Sequence, residues 1–520
     1  MSSKTAFATL GFQGTLEALK SEIRELYLAD NLPWIIGYSG GKDSTATLQL
    51  IWLALQELPE SERQKIVHVI STDTLVENPV VAAWVTQSLE IMRASAIQQK
   101  MPIDPNRLTP RVEDSFWVNL IGKGYPAPRH KFRWCTERLK IRPSNTFINR
   151  IIKDSGQAIL ILGSRKAESI TRARNMEKHE KNRVRDRLSP NGNLPGSLVY
   201  TPIEDWSNDD VWMFITQVQN PWGHKNKDLL GMYAGASADG ECPLVVDTST
   251  PSCGDSRFGC WVCTLVEKDK SMSAMIQNDS EKEWMLPLLR LRNELDFRMN
   301  GQGEGQEEEA SDRHLRDFRR MNGSVQLFHG RPIPGPYTQE SRERWLRKLL
   351  EAQTWIRQNG PQDVKKLELI TLEELQEIRR FWVIEKHEIE DTLPKIYRET
   401  TGEPYPGRRL DDDLVLRPDD LALLRKVCGD DHLHFELARE LLSIERQQRT
   451  GAKRSGHYER IEKAFSKHYY SNASDAVESA HRKESARAGA AAGHLPAIEP
   501  NANPLRIDAT DGASDTEQTF

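Results

Sequence analysis

The sequence predicts an α/β protein with a doubly wound, mainly parallel sheet. Three apolar runs, at 34–36, 66–70 and 158–162, each end in glycine or polar residues. Near-continuous apolar strands are typical of parallel sheets that helices cover on both faces. Helical periodicity follows the first two runs, so the pattern is a repeated β-α-β unit. Ligands bind at the carboxyl ends of strands in such sheets.

The first strand leads into a glycine turn and then into a helix with Leu48, Ile51, Trp52 and Leu55 on one face. Adjacent glycines permit positive φ, and the helix N terminus attracts an anion, so the turn suits a nucleotide phosphate. The common Gly-x4-Gly-Lys-Ser/Thr loop is excluded, because an aspartate follows the lysine. The alternative is a fortuitous Gly-Gly turn. The turn consists of Ser39, Gly40, Gly41, Lys42, Asp43 and Ser44.

Polar residues also follow the other two strands. Thr72 and Asp73 come after the second run, and Gly163 and Arg165 come after the third. Because the carboxyl ends of parallel strands share one edge, we expect these residues to converge on Ser39. Further predictions concern helix starts: Asn78 caps one helix, and Ser207 with Asp210 caps another.

Composition limits the class of protein. At 520 residues the chain exceeds one core, which predicts two domains and a tail. With 28% charged residues, a mean hydropathy of -0.62, no membrane-length apolar run and no signal peptide in residues 1–20, we expect a cytoplasmic protein without membrane contact. The net charge of -5 means that any nucleic-acid binding must use a local basic surface.

Four of the six cysteines are clustered as Cys242-x10-Cys253-x6-Cys260-x2-Cys263. Four thiolates satisfy a tetrahedral zinc or a [4Fe-4S] cluster, and the spacing does not separate these alternatives. Cys135 lies apart in the basic segment 129–143, where Arg133 and Arg138 are expected to lower its thiol pKa. It is either a sulfur-carrying thiol or an apolar filler.

The chain divides by composition into six predicted parts. The acidic, glycine-rich stretch 301–309 cannot bury a core, and the Ala- and Ser-rich end has almost no aromatic residues. Thr371 and Glu374 form a predicted capping box within the C-terminal helices. The parts are an N-terminal helix (1–29), a nucleotide-binding domain (30–240), a Cys-rich segment (241–300), a flexible linker (301–322), a helical extension (323–470) and a disordered tail (471–520).

Residues 30–265 resemble the phosphoadenylylsulfate reductase family of PP-loop enzymes. The resemblance rests on the turn 39–44, on Thr72-Asp73, on the Cys motif 135–143, on Gly163-Ser164-Arg165 and on the segment 202–212. It implies the adenine-nucleotide alpha hydrolase fold and an ATP pyrophosphatase that uses Mg²⁺. The reductases carry a catalytic cysteine near the C terminus, whereas the last cysteine here is Cys428.

The whole chain, including the segment 257–263 and the helical extension, is similar to the DndC family of PP-loop proteins in bacterial DNA phosphorothioation. The resemblance implies DNA as substrate, a [4Fe-4S] cluster on Cys242, Cys253, Cys260 and Cys263 in preference to zinc, and sulfur from a cysteine desulfurase. It also implies an SMC-like ATPase and a small DNA-binding subunit as partners. We expect Lys42, Asp43, Cys135 and Arg165 to be catalytic.

Other functions fit the same motifs. One alternative is a phosphoadenylylsulfate reductase-like or tRNA-thiolating enzyme. Another is an interaction subunit that keeps a nucleotide pocket, for which the C-terminal helices would supply the binding surface.

Overall fold

The computed structural model describes residues 5–185, 187–237, 258–296, 298, 312–408, 415–449 and 456–491. Two of the predicted cluster ligands, Cys242 and Cys253, lie outside these residues. Within the described ranges, no helix has the length and apolar character needed to cross a bilayer.

A six-stranded sheet forms the centre of the N-terminal half and confirms the predicted fold class. Its order is β3-β2-β1-β4-β6-β5, and the neighbouring strands are parallel except for β5 and β6. The chain order reverses between β1 and β4, which is the position where doubly wound sheets bind ligands. The strands are β1 (Trp34–Gly37), β2 (Val67–Thr72), β3 (Ile103–Leu108), β4 (Ala158–Ile161), β5 (Ser189–Pro190) and β6 (Ser197–Tyr200).

Helices cover both faces of this sheet. Trp34 and Ile36 point into one apolar cluster, whereas the intervening Ile35 points into another with Phe147 and Leu160. The alternation of side chains along a strand produces this division. The helices are α1 (Gly11–Leu28), α2 (Lys42–Gln56), α3 (Pro79–Gln98), α4 (Arg142–Ser155), α5 (Ile170–Glu180), α6 (Asn208–Gln217) and α7 (Asn226–Gly235).

The predicted helix starts are confirmed. The Asn78 side chain accepts a hydrogen bond from the Val80 N–H at the start of α3. Ser207 and Asp210 form a reciprocal capping box at α6. Helix α2 is buried over more of its surface than the one-sided pattern predicts, since Thr45, Thr47 and Gln49 are also inside.

The C-terminal helices share a core with the N-terminal half. Trp382 donates a hydrogen bond to the Ile121 carbonyl at 2.9 Å, and Trp117 donates to the Leu369 carbonyl at 2.8 Å. This part of the chain contains a hairpin of β7 (Leu327–Phe328) and β8 (Arg331–Pro332). Its helices are α8 (Lys270–Asn278), α9 (Leu286–Leu295), α10 (Gln339–Asn359), α11 (Leu372–Arg380), α12 (Leu393–Thr401), α13 (Pro418–Cys428), α14 (His432–Arg449), α15 (His457–His468) and α16 (Ala473–Ala491).

Two predicted boundaries differ from the structure. Residues 312–322 of the predicted flexible linker are packed, because buried Asp312 forms an ion pair with Arg129. Part of the predicted disordered tail is helix α16, in which alanine supports the helix and Ala476 packs with Leu433 and Tyr470.

Candidate functional site

The glycine turn lies at the carboxyl end of β1, over the start of α2. Gly40 has a φ of +73°, and a methyl group at this position would lie 2.5 Å from Val85 Cγ2. Trp84 of α3 donates a hydrogen bond to the Gly40 carbonyl at 3.1 Å and stacks on His224. Helix α3 therefore packs against the turn, and the positive φ and the close contact at position 40 both require glycine.

Hydroxyl groups line the inside of this turn. The Ser39 and Ser44 oxygens lie 3.1 Å apart, and the Ser39 N–H donates to the Ser44 hydroxyl at 3.2 Å. The Lys42 N–H donates to the Tyr233 hydroxyl at 3.3 Å. The first N–H groups of any α-helix lack intrahelical acceptors, so the start of α2 adds donors to these hydroxyls. Such a set of donors suits a polyphosphate.

Asp43 connects the turn to the end of β4. Its Oδ1 lies 2.7 Å from Arg165 Nε, and its Oδ2 lies 3.1 Å from Lys42 Nζ. Arg165 is 3% exposed and also donates to the Trp206 carbonyl at 3.2 Å. Asp43 therefore holds the side chains of Lys42 and Arg165 beside the glycine turn.

Gly163 allows the end of β4 to approach α2 closely. A methyl group there would lie 2.8 Å from the Asp43 carbonyl oxygen and 2.9 Å from Thr47 Oγ1. This contact places the exit of β4 against the first turn of α2, as the shared edge of a parallel sheet requires.

A cleft of about 1270 Å³ opens above this edge. Ser39, Thr72, Asp73 and Arg165 all line it, so the structure brings these predicted residues together. Thr72 lies 3.0 Å from the Ser144 hydroxyl, and Asp73 forms an ion pair with Arg107 while accepting the Leu75 N–H at 2.9 Å. The far end of the same cleft is lined by Glu77 and Lys140, whereas Phe258 lines it beside the glycine turn, where it packs edge-on against Tyr233.

The Cys-x2-Cys turn lies next to that far end. The Cys263 N–H donates to the Cys260 carbonyl at 3.0 Å, which closes the turn. The Trp261 N–H donates to the Val76 carbonyl at 2.9 Å, and Glu77 pairs with Cys260 in an antiparallel bridge. Burial raises the pKa of the Cys260 thiol to about 12, although a hydrogen bond from Thr74 partly offsets the effect.

Cys135 lies close to this turn, but its predicted acidity is wrong. Burial raises the pKa of its thiol, and the charge of Cys263 raises it further. The two arginines that we expected to lower the pKa have other partners. Arg133 contacts His130, and Arg138 donates to Asn119 and Tyr125. Neighbouring Lys140 forms an ion pair with Glu77, with 3.6 Å between Nζ and Oε1.

The described residues supply half of the predicted cluster ligands. Cys260 and Cys263 lie on one tight turn in a largely apolar core, which suits a thiolate-bound metal centre. Within the described ranges, no group of three His, Cys, Asp or Glu side chains is arranged to hold a metal ion. For Mg²⁺, the carboxylates that line the cleft are Asp43, Asp73, Glu77 and Glu168.

Several residues of the site escaped the sequence-based predictions. Tyr233 contacts the turn from α7, Trp84 contacts it from α3, and Glu77 joins the cleft to Cys260. No local pattern identifies Tyr233, because it lies 191 residues from Lys42 in the chain. Glu77 follows the polar residues at the end of β2. The sequence therefore gave only a weak indication that it lies near the carboxyl edge of the sheet.

Comparison with known proteins supports the nucleotide-binding half. Residues 33–224 match the phosphoadenosine phosphosulfate reductase domain, a PP-loop domain. An uncharacterized protein of Methanocaldococcus jannaschii is 26% identical over 214 residues, which is 41% of this chain. The aligned region spans 38% of that relative. The domain match over residues 33–224 includes the glycine turn, β2 and the end of β4, and it ends before the Cys-x2-Cys turn.

Proposed function

We propose that the protein is an ATP pyrophosphatase and sulfurtransferase that activates a DNA backbone phosphate by adenylation and helps to replace a non-bridging oxygen with sulfur. The observation that carries the proposal is the shared cleft. One end is the phosphate-binding turn, and the other is lined by Glu77 and Lys140 beside the Cys-x2-Cys turn. Nucleotide activation and sulfur delivery would therefore face each other.

The first step forms a mixed anhydride. A non-bridging oxygen of the DNA phosphate attacks the α-phosphorus of ATP, and the bond between the α-phosphorus and the bridging oxygen to the β-phosphorus breaks. Pyrophosphate leaves with that electron pair into the turn made by Ser39, Gly40, Gly41 and Ser44. Lys42 stabilises the developing negative charge, and Asp43 positions Lys42 and Arg165. If Mg²⁺ accompanies ATP, Asp43 and Asp73 are the carboxylates that would hold it.

The second step exchanges AMP for sulfur. Hydrosulfide attacks the activated DNA phosphorus, a P–S bond forms, the P–O bond to AMP breaks, and a proton is released to solvent. If Cys135 carries the sulfur as a persulfide, its terminal sulfur attacks the phosphorus and leaves a Cys135–S–S–P link. A second thiol then attacks the Cys135 sulfur, forms a disulfide with it and releases the DNA phosphorothioate. Because burial raises the pKa of the Cys135 thiol, a base or the sulfur donor must take up the thiol proton when sulfur is transferred to Cys135.

The thiol turn would hold a [4Fe-4S] cluster, with Cys242 and Cys253 as the other ligands and zinc as the less favoured metal. Such a cluster supplies electron transfer or sulfur chemistry when bound. A cysteine desulfurase would deliver the sulfur, and an SMC-like ATPase with a small DNA-binding subunit would assemble on the helical extension. The bridge between Cys260 and Glu77, which lines the cleft, supports a thiol centre at this position.

The decisive experiment is a mass-spectrometric search for phosphorothioate dinucleotides in DNA from cells with and without this protein. Cells that express Lys42→Ala should lack these dinucleotides, whereas Lys153→Ala, an exposed lysine on α4, should keep them. Phosphorothioates at equal levels in the presence and absence of the protein would exclude the proposal.

A second experiment separates the roles of the thiols. Cys260→Ser with Cys263→Ser should remove broad visible absorbance from anaerobically purified protein. Cys135→Ser should keep that absorbance and lose sulfur transfer if Cys135 is a carrier. Loss of both in Cys135→Ser would make Cys135 a cluster ligand instead, and stoichiometric zinc without iron would favour a structural staple.

A reductase-like or tRNA-thiolating enzyme is the second candidate, because residues 33–224 match a reductase domain. A thiol-dependent reductase is disfavoured, because the last cysteine, Cys428, is buried on α13. Identification of the thiolated product distinguishes the two enzymes. A nucleotide-binding interaction subunit, unlike either enzyme, would release no pyrophosphate from ATP.

A further inference from the structure

The β7–β8 hairpin presents an aromatic and basic tip to solvent. Phe328 and Arg331 pair across a two-residue loop, in which His329 has a φ of +48° and Gly330 a φ of +74°. Positive φ at both loop positions is the tight type I′ turn that fits the twist of two strands. Phe328 is 66% exposed and packs edge-on against His329.

A second turn has the same character. Arg129 and Phe132 exchange two backbone hydrogen bonds, at 2.8 and 3.2 Å, so that His130 and Lys131 form the tip. Phe132 is 43% exposed between Lys131 and Arg133. The turn again presents an aromatic ring among cations.

Asp312 and Arg313 join the two turns. Asp312 forms an ion pair with Arg129 of the first turn, and Arg313 donates to the Pro332 carbonyl of the hairpin at 3.0 Å. The segment 129–132 and the hairpin 327–332, which we call the hairpin-and-turn surface, are therefore held by consecutive residues.

This surface is basic in an acidic protein. Lys131, Arg133, Arg313 and Arg331 are exposed on or beside it, and the segments 129–132 and 327–332 contain no aspartate or glutamate. The net charge of the chain is -5. Local positive charge on such a chain favours a polyanion, because phosphate contacts release bound counterions.

We infer that the hairpin-and-turn surface binds duplex DNA. The inference rests on the proposed function and names the surface that receives its substrate. A two-stranded ribbon fits the major groove of B-form DNA, whereas the major groove of A-form RNA is too narrow for side chains. Exposed apolar rings can also act as wedges between base steps.

The surface connects to the cleft through one continuous segment. After Phe132 the chain passes Cys135, forms the turn of helix at Thr136–Ile141 and reaches the cleft wall at Lys140 and Ser144. A backbone held at the surface would therefore have a path toward the phosphate-binding turn.

Binding of the full chain to a fluorescein-labelled 20-base-pair DNA duplex tests the inference by anisotropy across a salt series. The probe variant is Lys131→Ala, Phe132→Ala, Phe328→Ala and Arg331→Ala. The matched control is Ile97→Ala with Lys153→Ala, which removes an exposed apolar residue and a cation at the opposite edge of the sheet. Far-ultraviolet circular dichroism checks that both variants fold.

The probe variant should bind the duplex about tenfold or more weakly, and its slope of log affinity against log salt should fall by about 2. The control should match the unmodified chain. Equal affinity in the probe variant and the control would overturn the inference, and so would tighter binding of an RNA duplex of the same sequence. DNA binding that depends on this surface in a protein that makes no phosphorothioate would support the surface and reject the proposed reaction.

Discussion

Substitution of Gly40 by alanine tests whether the phosphate-binding turn has the conformation described here. Gly40 has a φ of +73°, and its new methyl group would lie 2.5 Å from Val85 Cγ2 and 3.3 Å from Trp84 Cδ1. An L-residue in this left-handed region costs about 1–2 kcal/mol. Overpacking against α3 adds about 1–3 kcal/mol, so the turn should be disfavoured by about 2–5 kcal/mol.

This cost should lower the affinity for ATP more than it lowers the free energy of unfolding, because the turn can relax away from α3 without unfolding the sheet. A loss of about 2 kcal/mol corresponds to roughly 30-fold weaker ATP binding. Gly156→Ala is the matched control, since Gly156 has a φ of +79° with no atom within 4 Å of a new methyl group. It should reduce stability by about 1–2 kcal/mol and leave ATP affinity unchanged.

Fluorescent ATP-analogue titration and urea unfolding measure the two effects separately. If Gly40→Ala binds ATP as tightly as Gly156→Ala does, the turn does not hold the nucleotide in the observed conformation.

Three further predictions use the same measurements. Gly163→Ala should weaken ATP binding and cost about 1–3 kcal/mol of unfolding free energy, because its methyl group would lie 2.8 Å from the Asp43 carbonyl oxygen; unchanged ATP affinity would disprove the close approach. Arg342→Met should cost about 3–5 kcal/mol by leaving buried Glu388 unpaired, and Arg342→Met with Glu388→Leu should recover most of it. Burial lowers the pKa of His387 from 6.5 to about 4, so its neutral form stabilises the fold at high pH, and about 3 kcal/mol should be lost as the pH falls from about 6.5 to 4. Urea unfolding across this range should show less pH dependence for His387→Gln, and an unaltered profile would exclude this residue as the source.

The local signals of the sequence predicted the local structure well. Helix caps depend on residues two or three apart, and Asn78, Ser207 and Thr371 all act as predicted. The apolar runs predicted the parallel strands, but they missed β3, whose sequence Ile-Asp-Pro-Asn-Arg-Leu is polar at several positions. A strand at the side of the sheet tolerates such residues, because only part of its surface is buried.

Long-range contacts determined the chemistry of individual side chains. Arg133 and Arg138 are close to Cys135 in sequence, yet other partners hold them, and burial controls the thiol. Arg165 lines the cleft as expected, but its position is fixed by Asp43, which lies 122 residues away. The pKa of a group depends on its neighbours in space and on its solvation, which sequence spacing does not define.

The sequence by itself determined the α/β class, the glycine turn after β1 and the paired thiols, because strand periodicity, glycine pairs and Cys-x2-Cys turns are properties of short segments. Only the tertiary structure placed the thiol turn at the end of the nucleotide cleft and joined the hairpin to the turn at Arg129. These arrangements depend on how β2, α4 and the C-terminal helices pack together. Packing is a property of the whole chain, so no single segment encodes it.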